Sequence, residues 1–278
     1  MDRKRGFGLW LVLLFALLPM TVEAGTISFR LHGGVSYLRG GDLNDGLQGW
    51  ADYWIAEYNA YGHPYQTGAF NPIHLGGNFG GDVIFQVTPR MGIGLGTEYL
   101  MAKRTSTLTF QGGVTWDYFG KPAAVPAKLS VFYFLPAGKA FQVVFHAGLG
   151  YYWAKARLES HTKSASPMDY IIDSSASGIG FHGGVGLEWT LSSHLSFLIE
   201  GAGRYASFSG FEGTTTIVGS GGWSGKLYYC GSSAPVLAHF NYIDLLASPP
   251  SGPGFSFTRE AKIDFSGFGL RVGAVVKI

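Results

Sequence analysis

The chain after residue 26 repeatedly alternates apolar or small residues with polar ones. In segment 27–37 the odd positions are apolar or small, whereas Arg30 and His32 occupy even positions. Because successive side chains of a β-strand point to opposite faces, this alternation indicates a strand with one apolar and one polar face. The same pattern returns in the segments 73–87, 91–101, 127–135, 141–153, 179–189, 195–205 and 268–278. We therefore predict an all-β fold with eight two-faced strands.

The connections between these segments alternate in length. The turns near Pro89, Gly138 and Ser193 are a few residues long. The other connections are much longer and cover residues 40–72, 105–124, 160–175 and 208–262. Short turns on one side and long loops on the other are typical of transmembrane barrels, whose short turns face the periplasm. The predicted fold is a single antiparallel, up-and-down transmembrane β-barrel with long extracellular loops.

The longest of these loops leaves the number of strands open between eight and ten. Residues 214–218 and 226–229 either pair as an external hairpin or add two strands to the wall. In a ten-stranded barrel their short connections would face outward, whereas outward connections are usually the long ones. We therefore favour eight strands.

The apolar faces of the eight segments contain no charged residue. A lipid-facing surface requires this, because Arg or Lys at the bilayer midplane costs about 2–4 kcal/mol. Aromatic residues on these faces lie near both strand ends, where interfacial girdles are expected. The predicted girdles consist of Phe85, Tyr133, Phe141, Trp189 and Phe197 near the short turns, and of Tyr37, Tyr99, Tyr151, Trp153 and Tyr205 toward the long loops.

The opposite face carries equal numbers of positive and negative side chains. The predicted ion-pair network in the lumen consists of Arg30, Asp82, Glu98, Lys128, Glu188, Glu200, Arg204 and Arg271, with His146, His182 and Gln86 as hydrogen-bonding neighbours. These residues either form a structural plug or line an ion pathway. An eight-stranded barrel is just wide enough for its own side chains, and charges buried there must be paired, so we favour the plug.

One predicted loop contains a helical pattern. After a possible helix cap at Asp42, the loop over residues 42–60 has apolar residues at helical spacing, namely Leu43, Leu47, Trp50, Trp54, Ile55 and Tyr58. This spacing predicts a short amphipathic helix over the barrel mouth. The helix would act as a lid or as the rim of an apolar ligand site, or it would rest at the membrane interface.

The N-terminal residues have the pattern of a secretory signal peptide. Three basic residues at positions 3–5 precede an apolar run at 7–18, and small residues occupy the positions that define cleavage near Ala24. The run of about twelve apolar residues is shorter than the roughly 20 that a spanning helix needs, which disfavours a membrane anchor. We predict a cleaved signal peptide at 1–24, a mature barrel domain at 25–278, and export to the bacterial outer membrane.

Composition argues against several other functions. Charged residues make up 14% of the chain and the net charge is +2, so a nucleic-acid partner is not expected. The single cysteine, Cys230, excludes an intramolecular disulfide. The eight histidines are scattered without the spacing of a metal site, and no Gly-x-Ser-x-Gly motif occurs. We therefore expect no catalytic residues, no metal and no cofactor.

The strand pattern and the C-terminus resemble the eight-stranded outer-membrane β-barrel families: the OmpA transmembrane domain, OmpX, OmpW and the opacity proteins. Arg271, Gly273, Val276 and Ile278 are similar to the assembly signal of such barrels, although Ile278 stands where an aromatic residue is usual. The resemblance implies contact with outer-membrane lipid and with the barrel-assembly machinery. Similarity to OmpW further implies the passage of small apolar solutes.

Three classes of function follow. The first is a non-enzymatic, integral outer-membrane barrel, expected to be a monomer, that contacts an extracellular partner or admits a small apolar solute. The second is a lipid-modifying barrel enzyme of the outer membrane, whose catalytic groups would come from different strands. The third is a soluble exported barrel that binds an apolar ligand, with the apolar strand faces turned inward.

Overall fold

A computed structural model describes residues 25–164, 167–232 and 240–278; the predicted signal peptide at 1–24 lies outside this part of the chain. Antiparallel strands dominate the described residues. In chain order the elements are β1 (Ile27–Tyr37), β2 (Gly40–Gly41), α1 (Asp42–Ala60), β3 (Tyr65–Gly68), β4 (Leu75–Thr88), β5 (Met91–Ala102), β6 (Arg104–Phe110), β7 (Thr115–Pro136), β8 (Phe141–Lys163), β9 (Met168–Thr190), β10 (Leu195–Tyr205), β11 (Ser207–Phe208), β12 (Glu212–Ile217), β13 (Gly221–Ser232), β14 (Asn241–Leu246), β15 (Phe255–Glu260), β16 (Ile263–Asp264) and β17 (Gly267–Lys277).

Eight of these strands form a closed ring. The order around the ring is β1, β4, β5, β7, β8, β9, β10 and β17, and each strand pairs antiparallel with the next. Strand β17 pairs in turn with β1, where Phe29 lies opposite Val276. The predicted eight-stranded, up-and-down barrel is therefore confirmed. A ten-stranded wall is wrong, because β12 and β13 pair outside this ring.

The long connections are not the loops that the sequence predicted. Strands β7, β8 and β9 have 22 or 23 residues, whereas β1, β10 and β17 have 11. One side of the wall therefore continues well beyond the other. Most of the predicted loops 105–124 and 160–175 consists of strand, since continued pairing satisfies backbone N–H and C=O groups.

The outer halves of β7, β8 and β9 and the further strands that pair with them form what we call the outer region. On one side β6 pairs with β7, and β3 pairs with β6. On the other side β12 pairs with β9 and forms a hairpin with β13, which also pairs with β14 and β15. The predicted loop 208–262 is therefore largely sheet. The predicted external hairpin is formed by β12 and β13, but residues 214–217 pair with 221–224. Residues 226–229 pair with β14 instead.

Helix α1 lies inside the outer region and packs mainly against β14. Its N-cap is Gly41, whose φ of 61° favours glycine, and no side chain of the described residues forms a capping hydrogen bond. The predicted Asp42 cap is wrong, because the Asp42 carboxylate instead accepts hydrogen bonds from Arg259 and from the backbone N–H of Lys262. Among the described residues, no helix has both the length and the hydropathy that a membrane span requires.

The interior is divided into layers along the barrel axis. Near the short turns lies a small apolar cluster of Ile84, Phe132, Phe134 and Val144. A layer of buried charged side chains follows. Beyond it, a larger apolar cluster fills the barrel mouth and includes Leu43, Leu100, Tyr152 and Phe265. The charged layer thus lies between two apolar ones.

Candidate functional site

The orientation of the strands decides which residues are available for binding. Leu187 and Ile199 are 44% and 46% exposed on the outside of the barrel. Their neighbours Glu188 and Glu200 are 3% and 1% exposed inside it. The same alternation places Phe29 and Val83 outside and Arg30 and Asp82 inside. The barrel therefore has an apolar exterior and an ionic interior.

Glu200 is one centre of the ionic interior. Its carboxylate forms a salt bridge with Arg30 and lies 3.4 Å from the Arg271 guanidinium. The Nε2 atom of His146 lies 3.2 Å from the same carboxylate. Strands β1 and β17, whose pairing closes the ring, thus each supply an arginine to one carboxylate.

A second group of charges is joined to the first through Arg271. Its guanidinium lies 2.6 Å from Glu98. The Lys128 ammonium is 3.9 Å from Glu98 and 3.3 Å from Asp82, and His32 is 3.5 Å from Asp82. The structure thus brings together six of the eight predicted network residues. His32 was not among them, although its even position in β1 places it on the inner face.

Two predicted members lie apart from this network. Glu188 forms a salt bridge with Lys277, which is nearer the short-turn end. Arg204 has no ion pair among the described residues; instead it donates hydrogen bonds to the carbonyls of Phe265, at 2.6 Å, and Tyr37, at 3.2 Å. Arg204 lies near the outer end of β10, where backbone carbonyls take the place of a carboxylate. Placing it in the ion-pair network was therefore wrong.

The predicted neighbours of the network differ in their contacts. His182 Nε2 lies 2.8 Å from the Ser130 hydroxyl, but its Nδ1 has no hydrogen-bond partner within the described chain. A serine and a histidine are therefore adjacent without a carboxylate to complete a catalytic triad. Gln86 lines a small cavity at the short-turn end.

Most predicted girdle residues lie on the outer surface. The exposed members are Phe85, Tyr133, Phe141, Tyr151, Trp153, Trp189, Phe197 and Tyr205. Tyr37 and Tyr99 are half-buried. Tyr37 stacks between His74 and Phe268, at ring distances of 5.0 and 5.3 Å, while Tyr99 contacts Phe79.

The residues of the predicted assembly signal lie on both faces of β17. Arg271 and Gly273 face the interior, whereas Val276 and Ile278 are exposed outside. A Cβ at Gly273 would lie 2.2 Å from the Leu31 carbonyl oxygen, so this position needs glycine for the close approach of β1.

The helix residues predicted as a lid lie within the outer region. Leu43 and Leu47 are buried in the apolar cluster at the barrel mouth. Trp50, Trp54, Ile55 and Tyr58 pack against a second cluster formed by Ala51, Leu108, Phe110, Trp116 and Tyr118. These contacts cover the apolar side of the helix with protein, which argues against a helix resting at the membrane interface.

Between this helix and the outer strands lies a cavity of about 250 Å³, which we call the outer cavity. Helix α1, the outer halves of β7, β8 and β9, and the strands β12, β13 and β14 surround it. Its lining residues are Leu47, Trp50, Trp54, Trp116, Tyr118, Leu158, Glu159, Ser160, Met168, Tyr170, Ile172, Ile217, Trp223, Ile243 and Asp244.

Aromatic rings form much of the wall of the outer cavity. Trp54 and Trp116 stack at 4.1 Å and 24°, and Trp116 and Tyr118 are near-parallel at 6.1 Å and 16°. Trp50 donates its indole N–H to the Ile243 carbonyl at 2.8 Å, and Trp223 donates to the Leu245 carbonyl at 2.6 Å. Hydrogen bonds and stacking therefore hold these rings in place.

The acidic groups of the outer cavity already have partners. Tyr170 donates a hydrogen bond to the Asp244 carboxylate at 2.5 Å. Burial raises the pKa of Asp244 to about 6, and it also raises the pKa of Tyr170. Glu159 pairs with Arg157 and His161, which hold its pKa below the usual range against the opposing effect of burial.

Trp116, Tyr118, Tyr170 and Asp244 were not predicted from the sequence. The signal that would have found Trp116 and Tyr118 is a reversal of polarity along β7. In residues 115–124 the inward positions are aromatic or small, whereas the outward ones include Asp117 and Lys121. The alternation thus continues beyond the barrel with its polar and apolar faces exchanged. Within the described chain, no group of three His, Cys, Asp or Glu side chains could hold a metal ion.

The closed ring, apolar exterior and ionic interior define an eight-stranded β-barrel of the transmembrane type. No protein-family model matches the chain, and no curated protein matches it. Among solved structures the chain is similar to a major outer membrane protein from Thermus thermophilus, with a TM-score of 0.45 and 15% identity over 92% of this chain and 100% of that one.

Two further solved structures are similar at lower scores. Outer membrane protein OprG from Pseudomonas aeruginosa has a TM-score of 0.39 and 12% identity over 90% of this chain and 95% of its own. Ail, the attachment invasion locus protein of Yersinia pestis, has a TM-score of 0.31 and 10% identity over 92% and 100%. The barrel described above follows from this chain's own strand pairing.

Proposed function

We propose that the protein is an integral outer-membrane barrel with a sealed lumen, which binds a small apolar solute in its outer cavity at the cell surface. One observation carries this proposal: the apolar side of the wall faces outward below the outer region and inward within it. Such a reversal suits a molecule whose lower part lies in lipid and whose upper part lies in water.

Strand β8 illustrates the reversal. Its outward residues from Phe141 to Trp153 are all apolar or aromatic, whereas Lys155, Arg157 and Glu159 follow at the next outward positions. Inward positions change in the opposite sense, from His146 to Ala154 and Leu158. The boundary therefore falls just beyond Trp153, where the outer end of the lipid core would lie.

The sealed lumen follows from packing. Charged side chains at 9% exposure or less occupy the middle of the barrel, with apolar clusters above and below them. Paired charges in a narrow barrel form a plug. This packing supports a role in binding over a role as an aqueous pore.

The two alternative functions have less support. A soluble exported barrel would need its apolar strand faces inside, yet Leu187 and Ile199 are exposed. A lipid-modifying enzyme would need a catalytic set near the outer rim, whereas the Ser130 and His182 pair lies in the lumen, without a third member among the described residues.

Membrane location and lumen closure can be tested together. After separation of the membranes on a density gradient, we expect the protein in the outer-membrane fraction and resistant to extraction with alkaline carbonate. In planar bilayers we expect no steady unitary conductance. Recovery from the periplasmic supernatant, or a stable open conductance, would contradict the proposal.

Binding in the outer cavity can be tested by filling it. Ile217 lines the cavity, whereas its neighbour Val218 is exposed and does not. We expect Ile217→Trp to weaken binding of a bicyclic hydrocarbon such as naphthalene at least tenfold, and Val218→Trp to leave it unchanged. Equal binding by both variants would place the solute elsewhere.

A further inference from the structure

Accepting the proposed function, we infer that the solute of the outer cavity is an uncharged aromatic molecule carrying a hydrogen-bond acceptor oxygen, such as an aryl ketone, ester or ether. Trp116, Tyr118 and Ser160 would bind that oxygen. The inference rests on the hydrogen-bond state of these side chains, on the charge of the lining and on the shape of the cavity.

Trp116 and Tyr118 carry polar atoms that lack partners. Both side chains are 3% exposed, and the Trp116 Nε1 and Tyr118 hydroxyl atoms form no hydrogen bond within the described chain. Trp50 and Trp223 line the same cavity, yet both donate their indole N–H to backbone carbonyls. Because buried polar groups in native proteins are nearly always bonded, an unpaired indole at this position points to a partner that the described residues do not supply.

The unpaired atoms belong to one patch of the wall. Trp116 and Tyr118 are two residues apart on the inner face of β7, and the β7–β8 register places Ser160 opposite Tyr118 and Thr162 opposite Trp116. The Ser160 and Thr162 hydroxyls also lack partners among the described residues. Directly opposed residues have Cβ atoms about 4.5–5.5 Å apart, so these groups can converge on one ligand atom or its water.

The chemistry of these groups specifies an acceptor. An indole N–H can only donate, while a hydroxyl can donate or accept. A ligand that satisfies Trp116 must therefore offer an oxygen or another acceptor. A pure hydrocarbon would leave this N–H unpaired.

The charge of the lining favours an uncharged ligand. Glu159 and Asp244 line the cavity, whereas no Lys, Arg or His side chain does so among the described residues. Burial already opposes the charged form of Asp244, whose pKa is raised to about 6. Glu159 lies at an outward position of β8, and its carboxylate is paired with Arg157 and His161. A carboxylate ligand would therefore meet Asp244 as the acidic group, and no cation among the described lining residues.

The size and shape of the outer cavity favour a ligand with one or two flat rings. A cavity of about 150 Å³ can hold benzene, and the outer cavity measures about 250 Å³. The rings of Trp54, Trp116 and Tyr118 lie within 24° of parallel between neighbours. A planar ligand can stack against such rings in an offset arrangement.

The experiment compares three probes with the same ring system: naphthalene, 2-acetylnaphthalene and 2-naphthoate. Binding to the full barrel in lipid nanodiscs is measured by equilibrium dialysis of labelled probe, with empty nanodiscs to subtract partitioning. Tyr118→Phe removes one hydroxyl donor and keeps the ring. Trp116→Phe removes one N–H donor and also replaces the indole by a smaller ring. Trp223→Phe is the matched control, since its N–H already has a backbone partner.

We expect the ketone to bind at least tenfold more tightly than naphthalene, and naphthoate to bind most weakly. Trp116→Phe should lower the ratio of ketone affinity to naphthalene affinity about tenfold, because both probes lose the same ring contact and only the ketone loses a donor. Trp223→Phe should keep the preference for the ketone. If Trp116→Phe does not fold, Tyr118→Phe tests the same donor patch.

Equal affinity for ketone and naphthalene, unchanged by either donor variant, would overturn the inference while leaving an apolar site in place. Preferred binding of naphthoate would overturn the charge argument and with it the inference. Saturable binding of none of the probes would instead count against the proposed function.

Discussion

Glu200 is the buried carboxylate at which two arginines meet. Arg30 and Arg271 come from strands on the two sides of the seam where β17 pairs with β1, and both contact Glu200 inside the barrel. Burying these cations costs free energy that only a nearby anion can offset. The negative charge of Glu200 therefore stabilises the closed barrel more than the hydrogen bonds of a neutral side chain at this position would.

We predict that Glu200→Gln destabilises the barrel by about 3 kcal/mol, because it leaves two arginines near an uncharged amide. For a protein of this size, the thermal transition should fall by on the order of 10 °C. Circular dichroism during heating in detergent measures this change. Planar-bilayer conductance should change less than stability does.

Glu212→Gln provides the control for Glu200→Gln. Glu212 lies 3.8 Å from Lys226, but both side chains are largely exposed. Exposed ion pairs contribute about 0–1 kcal/mol, so this variant should unfold close to the wild type. Equal transitions for the two variants would show that the interior charges do not stabilise the barrel.

Asp244 provides a pH-dependent prediction outside the membrane-spanning segments. Burial raises its pKa from 3.8 to about 6 in the folded protein, although Tyr170 donates a hydrogen bond to it. The favourable contribution of the protonated form is complete below pH 3.8 and is lost as pH rises through 6. Lowering the pH from about 7.5 to about 5 should therefore stabilise the wild type by about 1.4 kcal/mol relative to Asp244→Asn.

Thermal unfolding of both proteins at the two pH values, followed by tryptophan fluorescence, gives this difference directly. The comparison with Asp244→Asn cancels other titrating groups, such as His161, whose pKa is raised by Asp169 and Glu159 against the effect of burial. An identical pH response in both proteins would mean that Asp244 does not titrate in this range.

At the scale of elements, alternation predicted the barrel strands but not where they end. The wall strands were identified because lipid demands a continuous apolar face, so the period of two is unbroken there. Beyond Trp153 the residues still alternate, but the apolar residues now face inward and the polar ones outward. A sequence reading that expects an apolar outward face along the whole strand takes this part for an irregular loop. The strands therefore extend through two predicted loops.

Helix α1 was predicted from its apolar spacing, but its packing partner was not. The sequence contains no sign that β14, almost 200 residues away, supplies the surface on which it docks. Gly46 and Gly49 provide the close approach: a Cβ at Gly49 would lie 1.4 Å from the Asn241 carbonyl oxygen. Only the assembled structure reveals why glycine occupies these helical positions.

This packing predicts that Gly49→Ala destabilises the helix, which is the opposite of its usual effect. In an ordinary helix the substitution stabilises by about 1 kcal/mol, because alanine loses less backbone entropy. Here the methyl group would push the helix away from β14, so we expect faster proteolysis within residues 42–60. Mass spectrometry of a limited digest measures the rate.

Gln48→Ala is the matched control for Gly49→Ala, since Gln48 is exposed on the same helix and donates a hydrogen bond to Asp52 one turn further on. Its digestion rate should stay close to that of the wild type. Cleavage of Gly49→Ala that is slower than cleavage of the wild type and of Gln48→Ala would contradict the docking of the helix on β14.

At the scale of the whole molecule, the alternating strand pattern reflects two environments, one outside the barrel and one inside it. The apolar exterior of the barrel suits lipid, and the buried charges of the interior pair with one another, as Arg271 does with Glu98. Balanced charges on the inner face predicted this network from sequence. Leu47, Trp50 and Trp54 line the outer cavity and belong to the helix that was predicted as a lid or the rim of an apolar ligand site. Trp116, Tyr170 and Asp244 escaped prediction because they come from three distant segments that only the strand register brings together.

The central claim is that the apolar outer face contacts lipid, and nitroxide labels at Val83, Leu187 and Ile199 test it most directly. With Cys230 replaced by serine, single labels at these exposed positions are introduced in lipid bilayers, and their collisions with oxygen and with a water-soluble nickel complex are measured by electron paramagnetic resonance. We predict frequent collisions with oxygen and rare collisions with nickel at all three positions. Frequent nickel collisions would place these residues in water, and rare collisions with both reagents would place them in a protein core; either result would contradict the account.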